Sequence, residues 1–193
     1  MNFGPRPLAI QGNATEEELF VAVGKALSCW ELVEQGVASL FTIVTVGSYY
    51  APTAPALRAY ASVIGSRARI DMVTAALKSW LNDWPDCPCG QNALEALKNC
   101  KSWASRRNEV AHGLVDKHFE QESWFLMPSL YSIKGRPLPK AKAAYRYNAE
   151  IIESFAVKFI ELHHEINAAT SMLGEWHRIA ASETERMRQS PHA

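Results

Sequence analysis

The chain has 193 residues, of which 48% are hydrophobic and 21% are charged. This balance is typical of a globular protein and excludes an intrinsically disordered chain. Lysine plus arginine and aspartate plus glutamate both number 20, so the formal net charge at pH 7 is zero. Proteins that coat DNA or RNA usually carry a basic excess, so any contact with nucleic acid must be local.

The first helix is predicted from a stripe of apolar residues whose steps alternate between three and four. The stripe comprises Leu19, Val23, Ala26, Trp30, Val33, Val37, Leu40 and Val44. A second helix is predicted over about 56–81, with a kink near Gly65 where its apolar face shifts. Its first half is marked by Leu57, Ala61, Ile64 and Ala68, and its second half by Val73, Leu77 and Trp80.

The third helix is predicted to open near Asn92, and its stripe reads Leu94, Leu97, Lys101, Ala104, Asn108, Ala111 and Val115. Gly113 stands where a left-handed helix cap is expected. The last helix is predicted from about Tyr147, with a stripe of Ile152, Phe155, Phe159, Leu162, Ile166, Ala169 and Leu173. Trp124 to Tyr131, which contains Pro128, is predicted to be an irregular extended segment or a short hairpin.

These elements predict an all-α fold, an antiparallel bundle of four long helices with a short irregular or extended insertion after the third helix. We expect a single helical domain over 15–180, with flexible termini at 1–14 and 181–193. The longest apolar run, Val37 to Val46, is about half as long as a membrane span, so no membrane anchor is expected. The N-terminus shows no secretory signal, which favours a cytoplasmic protein with reduced thiols.

Two groups of residues raise the question of a metal site. Cys87 and Cys89 form a CPC pair, which lacks the two-residue spacer of a usual zinc knuckle, so free buried thiols are the favoured interpretation. Glu161, His164 and Glu165 fall on one side of the last helix, with His163 beside them. A single helix supplies only half of a metal cage, and a solvated face is the more common explanation. No metal or other cofactor is expected.

The stretch SRRNEVAHGLV, residues 105–115, carries a dense polar cluster near the end of the third helix. Ser105, Asn108 and His112 form a polar line on one face, because residues three and four apart are neighbours on a helix. A histidine transfers protons near neutral pH, and an arginine such as Arg107 holds a phosphate through paired hydrogen bonds. The helix dipole also favours positive charge at His112. A cap and surface arginines explain the same residues without catalysis.

The segment RNEVAH, Arg107 to His112, resembles the Arg-x4–6-His motif of the HEPN superfamily (higher eukaryotes and prokaryotes nucleotide-binding). The polar residue after the arginine and the ending Ala-His-Gly are similar to the form common in bacterial members. The position of the motif, at the end of the third of four long helices, is also similar. The resemblance covers roughly residues 15–180.

The resemblance implies an all-α homodimer in which the motifs of both protomers meet in one cleft. Many members are metal-independent endoribonucleases that act as toxins or in antiviral defence. Carried over, Arg107 and His112 would be the catalytic pair and Asn108 the supporting residue. The neighbouring Arg106 and Ser105 are further candidates for substrate binding. An antitoxin is an expected partner. Other members bind nucleotides or other proteins without catalysis, and this alternative stays open.

Further candidates to contact RNA are Arg67, Arg69, the basic loop KGRPLPKAK at 134–142, and the aromatic residues Trp124 and Tyr131. Arginines and lysines bind the phosphate backbone, and aromatic rings stack on bases. Packing is the more common role of aromatic residues at such spacing.

Overall fold

A computed structural model describes residues 6–46, 54–129 and 145–189. The elements in chain order are α1 (Glu16–Val46), α2 (Ala54–Ser62), α3 (Ser66–Asp83), α4 (Gly90–His112), β1 (Gly113–His118), β2 (Ser123–Pro128) and α5 (Ala149–Gln189). The protein is therefore mainly helical, as the sequence predicts. The predicted insertion is an antiparallel hairpin of β1 and β2, which pair from Gly113 with Pro128 to His118 with Ser123.

The apolar stripes of α1 and α5 are confirmed. Of the predicted stripe in α1 only Val23 is partly exposed, and all seven predicted residues of α5 are buried. Asn148 begins α5 by accepting a hydrogen bond from the backbone N–H of Ile151 at 3.0 Å, the standard role of an N-cap asparagine. The helix continues to Gln189, and the flexibility predicted for the tail from residue 181 stays a prediction.

The predicted second helix is two helices, because the chain breaks between Ser62 and Ser66. Gly65 has a φ of 91°, a backbone conformation that residues with a side chain rarely adopt. Ile64, which the sequence places on the apolar face, is 94% exposed in this break. In α3, the predicted residues Val73, Leu77 and Trp80 are buried.

The chain forms two compact units. Unit 1 comprises Met1–Leu32 and Ser102–Glu161, and unit 2 comprises Val33–Lys101 and Leu162–Ala193. The prediction of a single domain over 15–180 stays a prediction. The predicted basic loop at 134–142 lies wholly outside the described residues.

In unit 1 the hairpin is joined to two other segments of the chain. Trp124 exchanges backbone hydrogen bonds with Asn13 at 2.9 Å, and Leu126 exchanges them with Tyr147 at 2.8 and 3.0 Å. The N-terminal segment is therefore paired with the hairpin at Asn13, and the flexibility predicted for residues 1–14 stays a prediction. A small apolar cluster of Ala9, Phe125 and Met127 lies beside this pairing.

In unit 2 a partly buried ion pair lies at the start of α3. The Arg69 guanidinium donates to Glu34 at 2.7 Å and to the carbonyl of Val63 at 3.0 Å, and it lies 5.5 Å from the ring centre of Tyr60. Ser66 donates its hydroxyl to the same carboxylate of Glu34. Arg69 is thus engaged within the protein, whereas Arg67 is exposed.

Helix α1 is long and apolar enough to cross a membrane by length and composition alone, and half of its most apolar window is buried within the protein. A buried core helix of a soluble protein can have the same length and composition, so these two properties are weak support for a membrane span.

Gly36 allows α1 and α5 to pack closely within unit 2, because it has no side chain. A Cβ atom at Gly36 would collide with Ile166 and lie 3.1 Å from Asn167 Oδ1. We expect Gly36→Ala to lower the free energy of unfolding by about 1–3 kcal/mol, as overpacking does. The measurement is chemical denaturation.

Gly24 in the same helix is the matched control, because a Cβ atom at Gly24 would meet no other part of the protein within 4 Å. Gly24→Ala should raise the free energy of unfolding by about 0.5–1 kcal/mol through helix propensity. Equal effects of the two substitutions would contradict the close approach at Gly36.

Candidate functional site

The end of α4 presents a polar surface on one side and a buried ionic cluster on another. Asn108 and His112 are exposed, Ser105 is exposed, and Arg107 is half-buried. Arg106 and Glu109 are only 7% and 9% exposed. The sequence places Asn108 on the stripe that faces other helices, and this prediction is wrong, because Val110, Arg106 and Glu109 occupy the inner side of the last turns.

The buried carboxylate of Glu109 is surrounded by donors. Its Oε2 accepts hydrogen bonds from Arg106 Nη1 at 2.7 Å and from the Tyr147 hydroxyl at 2.6 Å. Its Oε1 lies 2.7 Å from Arg6 Nε. The Tyr145 hydroxyl donates to the backbone carbonyl of Glu109 at 3.1 Å, which adds a bond at the helix end. Hydrogen bonds to a charged group in a dry environment are stronger than neutral ones.

Two tyrosine rings close this cluster. Tyr145 and Tyr147 stack with ring centres 4.7 Å apart, and Tyr147 meets Phe155 edge-on at 5.1 Å. Burial, followed by the nearby Glu109 carboxylate, raises the pKa of Tyr145 to about 12. Burial and the hydrogen bond to Glu109 also raise the pKa of Tyr147. Both phenols therefore remain protonated donors at neutral pH.

Arg107 and Asn108 are joined at the surface. Arg107 Nη1 donates to Asn108 Oδ1 at 3.3 Å. Arg107 Nε is shielded from solvent and has no hydrogen-bond partner within the described part of the chain. The bond to Asn108 therefore restricts the orientation of the guanidinium.

Gly113 follows the motif for a reason other than the predicted one. Within the described residues the only glycine with positive φ is Gly65, so the left-handed cap predicted at Gly113 is wrong. Gly113 instead begins β1, and a Cβ atom there would lie 2.7 Å from Leu126 Cγ and 2.9 Å from the Glu109 carbonyl. The glycine lets the helix end and β2 approach closely.

The structure thus brings Arg107, Asn108 and His112 to the end of one helix, but it gives Arg106 a different environment. Arg106, which the sequence groups with substrate-binding residues, is buried and paired with Glu109, so its guanidinium is not presented at the surface. Ser105 is exposed and donates to the carbonyl of Ser102 at 3.4 Å, a weak bond. Sequence reasoning missed Glu109, Tyr145, Tyr147 and Arg6, although the three-residue spacing of Arg106 and Glu109 is that of a helical ion pair.

The structure gives less support to the other candidates from the sequence, which are the metal ligands on α5 and the aromatic and basic residues expected to contact RNA. Glu161 is bonded by Lys158 at 2.8 Å, and Glu165 is bonded by Asn99 at 3.1 Å. Throughout residues 6–46, 54–129 and 145–189, no group of three or more His, Cys, Asp or Glu side chains is arranged to hold a metal ion. Trp124 lies half-buried in β2, and Tyr131 and the loop 134–142 lie outside the described residues.

The buried Glu109 carboxylate should be important for stability. We expect Glu109→Gln to lower the free energy of unfolding by about 3 kcal/mol, because it leaves the buried Arg106 without its counter-charge. The same change at the exposed Glu120 should alter stability by no more than about 0.5 kcal/mol. Chemical denaturation of both variants checks this, and similar values for the two would refute the role of the carboxylate.

The raised pKa of Tyr145 predicts a loss of stability in alkali. The unfolded tyrosine ionises near pH 10, whereas the folded one retains its proton to about pH 12. The stabilisation is fully present below pH 10 and is lost as the pH rises through that interval, at about 1.4 kcal/mol per pH unit. Chemical denaturation between pH 10 and pH 12 should show that the free energy of unfolding falls less steeply with pH in Tyr145→Phe than in the unaltered protein. An unchanged slope would contradict the raised pKa of Tyr145.

No family model, no curated protein and no solved structure matches the chain. The likeness of Arg107–His112 to the HEPN motif therefore stays an expectation from the sequence.

Proposed function

We propose that the protein is a HEPN-type, metal-independent endoribonuclease that uses Arg107, Asn108 and His112. The observation that carries this proposal is the exposure of Asn108 and His112 on the last turns of α4, with the Arg107 guanidinium bonded to Asn108 beside them. A residue able to transfer protons and a residue able to bind anions thus lie within the last two turns of one helix.

The proposed reaction is transesterification of RNA. The ribose 2′-oxygen attacks the adjacent phosphorus, the bond from phosphorus to the 5′-oxygen breaks, and a cyclic phosphate and a 5′-hydroxyl form. His112 transfers a proton in this step. Arg107 stabilises the charge on the phosphoryl oxygens in the transition state, and Asn108 orients the guanidinium.

We further propose that the active form is a homodimer with the antiparallel four-helix architecture of the HEPN fold, its second helix being divided into α2 and α3. One histidine can accept the proton of the 2′-hydroxyl while another supplies a proton to the leaving oxygen, so two copies of His112 at a shared cleft would provide both. A cytoplasmic role as a toxin or antiviral effector, restrained by an antitoxin, is part of the same proposal.

A second proposal is a non-catalytic module that binds nucleotides or a partner protein. The zero net charge of the chain favours it, since a nuclease that binds long RNA gains from a basic surface. Under this alternative Arg107→Ala would weaken nucleotide or partner binding while RNA remained intact in the presence of the unaltered protein.

The ribonuclease proposal predicts cleavage of RNA in EDTA. We expect His112→Ala to lower the cleavage rate about 10²–10⁴-fold, the range typical of a lost general acid or base. Because His112 is exposed, the melting temperature should hardly change. The measurement is single-turnover cleavage of a panel of labelled RNAs.

His164→Ala is the matched control, because His164 is also an exposed histidine on a helix. It should leave the rate unchanged. If the unaltered protein leaves the whole panel intact, or if His112→Ala cleaves at the same rate, the proposed activity is refuted. Sedimentation of the active protein tests the dimer separately, and an active monomer would refute the shared cleft.

A further inference from the structure

The turn between α3 and α4 holds two thiols against each other. The sulfurs of Cys87 and Cys89 lie 3.2 Å apart, and both residues are buried, at 8% and 2% exposure. Both cysteines are free, so the pair is a dithiol. Their neighbours in the turn, Pro85, Asp86 and Pro88, are exposed, so the two thiols belong to a turn at the protein surface.

The backbone fixes this arrangement. Cys87 donates its N–H to the carbonyl of Trp84 at 3.2 Å, and Gly90 donates to the carbonyl of Cys87 at 3.3 Å. The carbonyl of Cys89 accepts the N–H of Ala93 at 3.2 Å, which ties the second thiol to the first turn of α4. Pro88, between the cysteines, restricts φ. The two sulfurs are therefore organised before any ligand arrives.

The distance between the two sulfurs can be compared with the distance that each type of thiol-binding centre requires. With sulfur–metal bonds of about 2.3 Å, tetrahedral zinc separates two sulfurs by about 3.8 Å, which is wider than the pair observed. At the same bond length, a centre whose two sulfur bonds meet near a right angle separates them by about 3.3 Å. Trivalent arsenic has this pyramidal geometry, and thiols are its preferred ligands.

The number of protein ligands available also favours trivalent arsenic over zinc. A structural zinc ion takes four protein ligands, and the described residues supply no third His, Cys, Asp or Glu grouped with this pair. A monosubstituted arsenical has one bond to carbon and needs only two sulfurs. We propose that Cys87 and Cys89 form a chelating site for monosubstituted trivalent arsenicals and electrophiles of the same type.

The reaction is balanced without an oxidant. An arsenoxide, R–As=O, forms two As–S bonds, and its oxygen leaves as water with the two thiol protons. Burial, followed by the hydrogen bond between Cys89 and Cys87, raises the pKa of Cys89 to about 12, so this thiol is protonated at neutral pH. Reagents that need a thiolate, such as iodoacetamide, should therefore react slowly with it.

The experiment treats the full-length folded protein with one equivalent of phenylarsine oxide and measures the intact mass. We expect one adduct whose mass equals that of the arsenical less one water. Cys87→Ser and Cys89→Ser should each weaken binding about 100-fold or more, because chelation is lost. Cys29→Ser and Cys100→Ser are the matched controls and should bind as the unaltered protein does.

A second measurement does not depend on how the variants fold. The arsenical-treated protein is unfolded in the presence of N-ethylmaleimide, and the alkylated cysteines are mapped by peptide mass. Protection confined to Cys87 and Cys89 supports the site, and a small dithiol should remove it. An unmodified native protein, protection of other cysteines, or tight binding that survives loss of either Cys87 or Cys89 would overturn the proposal. Each outcome is independent of whether the protein cleaves RNA.

Discussion

The Glu109 carboxylate joins segments of unit 1 that are distant in sequence. It binds Arg6 from the N-terminal segment, Arg106 from its own helix and Tyr147 from the segment before α5. A buried carboxylate without such partners would be strongly destabilising. The inward side of the last turns of α4 is therefore fixed by charge pairing. Since a helix has 3.6 residues per turn, fixing Arg106 and Glu109 inward leaves Asn108 and His112 on a different, exposed side.

The two longest helices, α1 and α5, could be predicted because each buries a continuous stripe of apolar residues. The stripes from Leu19 to Val44 and from Ile152 to Leu173 follow helical spacing, and burial of these residues needs no polar partner. The end of α4 could not be predicted in this way. Hydrophobic spacing extends the stripe from Ala104 to Asn108, whereas the protein buries Arg106 and Glu109, which form an ion pair. Glu109 also accepts a hydrogen bond from Tyr147, which lies 38 residues later in the chain.

Gly65 and Gly113 show a second limit of prediction from the sequence. The sequence predicts a kink at Gly65 and a left-handed cap at Gly113, and the structure gives the unusual backbone angle only to Gly65. Gly113 is needed because Leu126 and the Glu109 carbonyl approach it. Close approach depends on a strand ten residues later in the chain, so local patterns around Gly113 carry no sign of it. The sequence proposes Arg107, Asn108 and His112 as motif residues, and it does not predict the network around Glu109 on the other side of the same helix.

The direct passage from His112 into β1 has a consequence for how the imidazole can move. Because Gly113 is already paired with Pro128, the peptide that follows the histidine belongs to the hairpin, and the peptide that precedes it belongs to α4. No loop separates the two, so there is no hinge at which this residue could shift by itself. Any molecule that displaces the hairpin must therefore also displace the backbone of His112. Binding to β1 or β2 would in this way change the position of the imidazole.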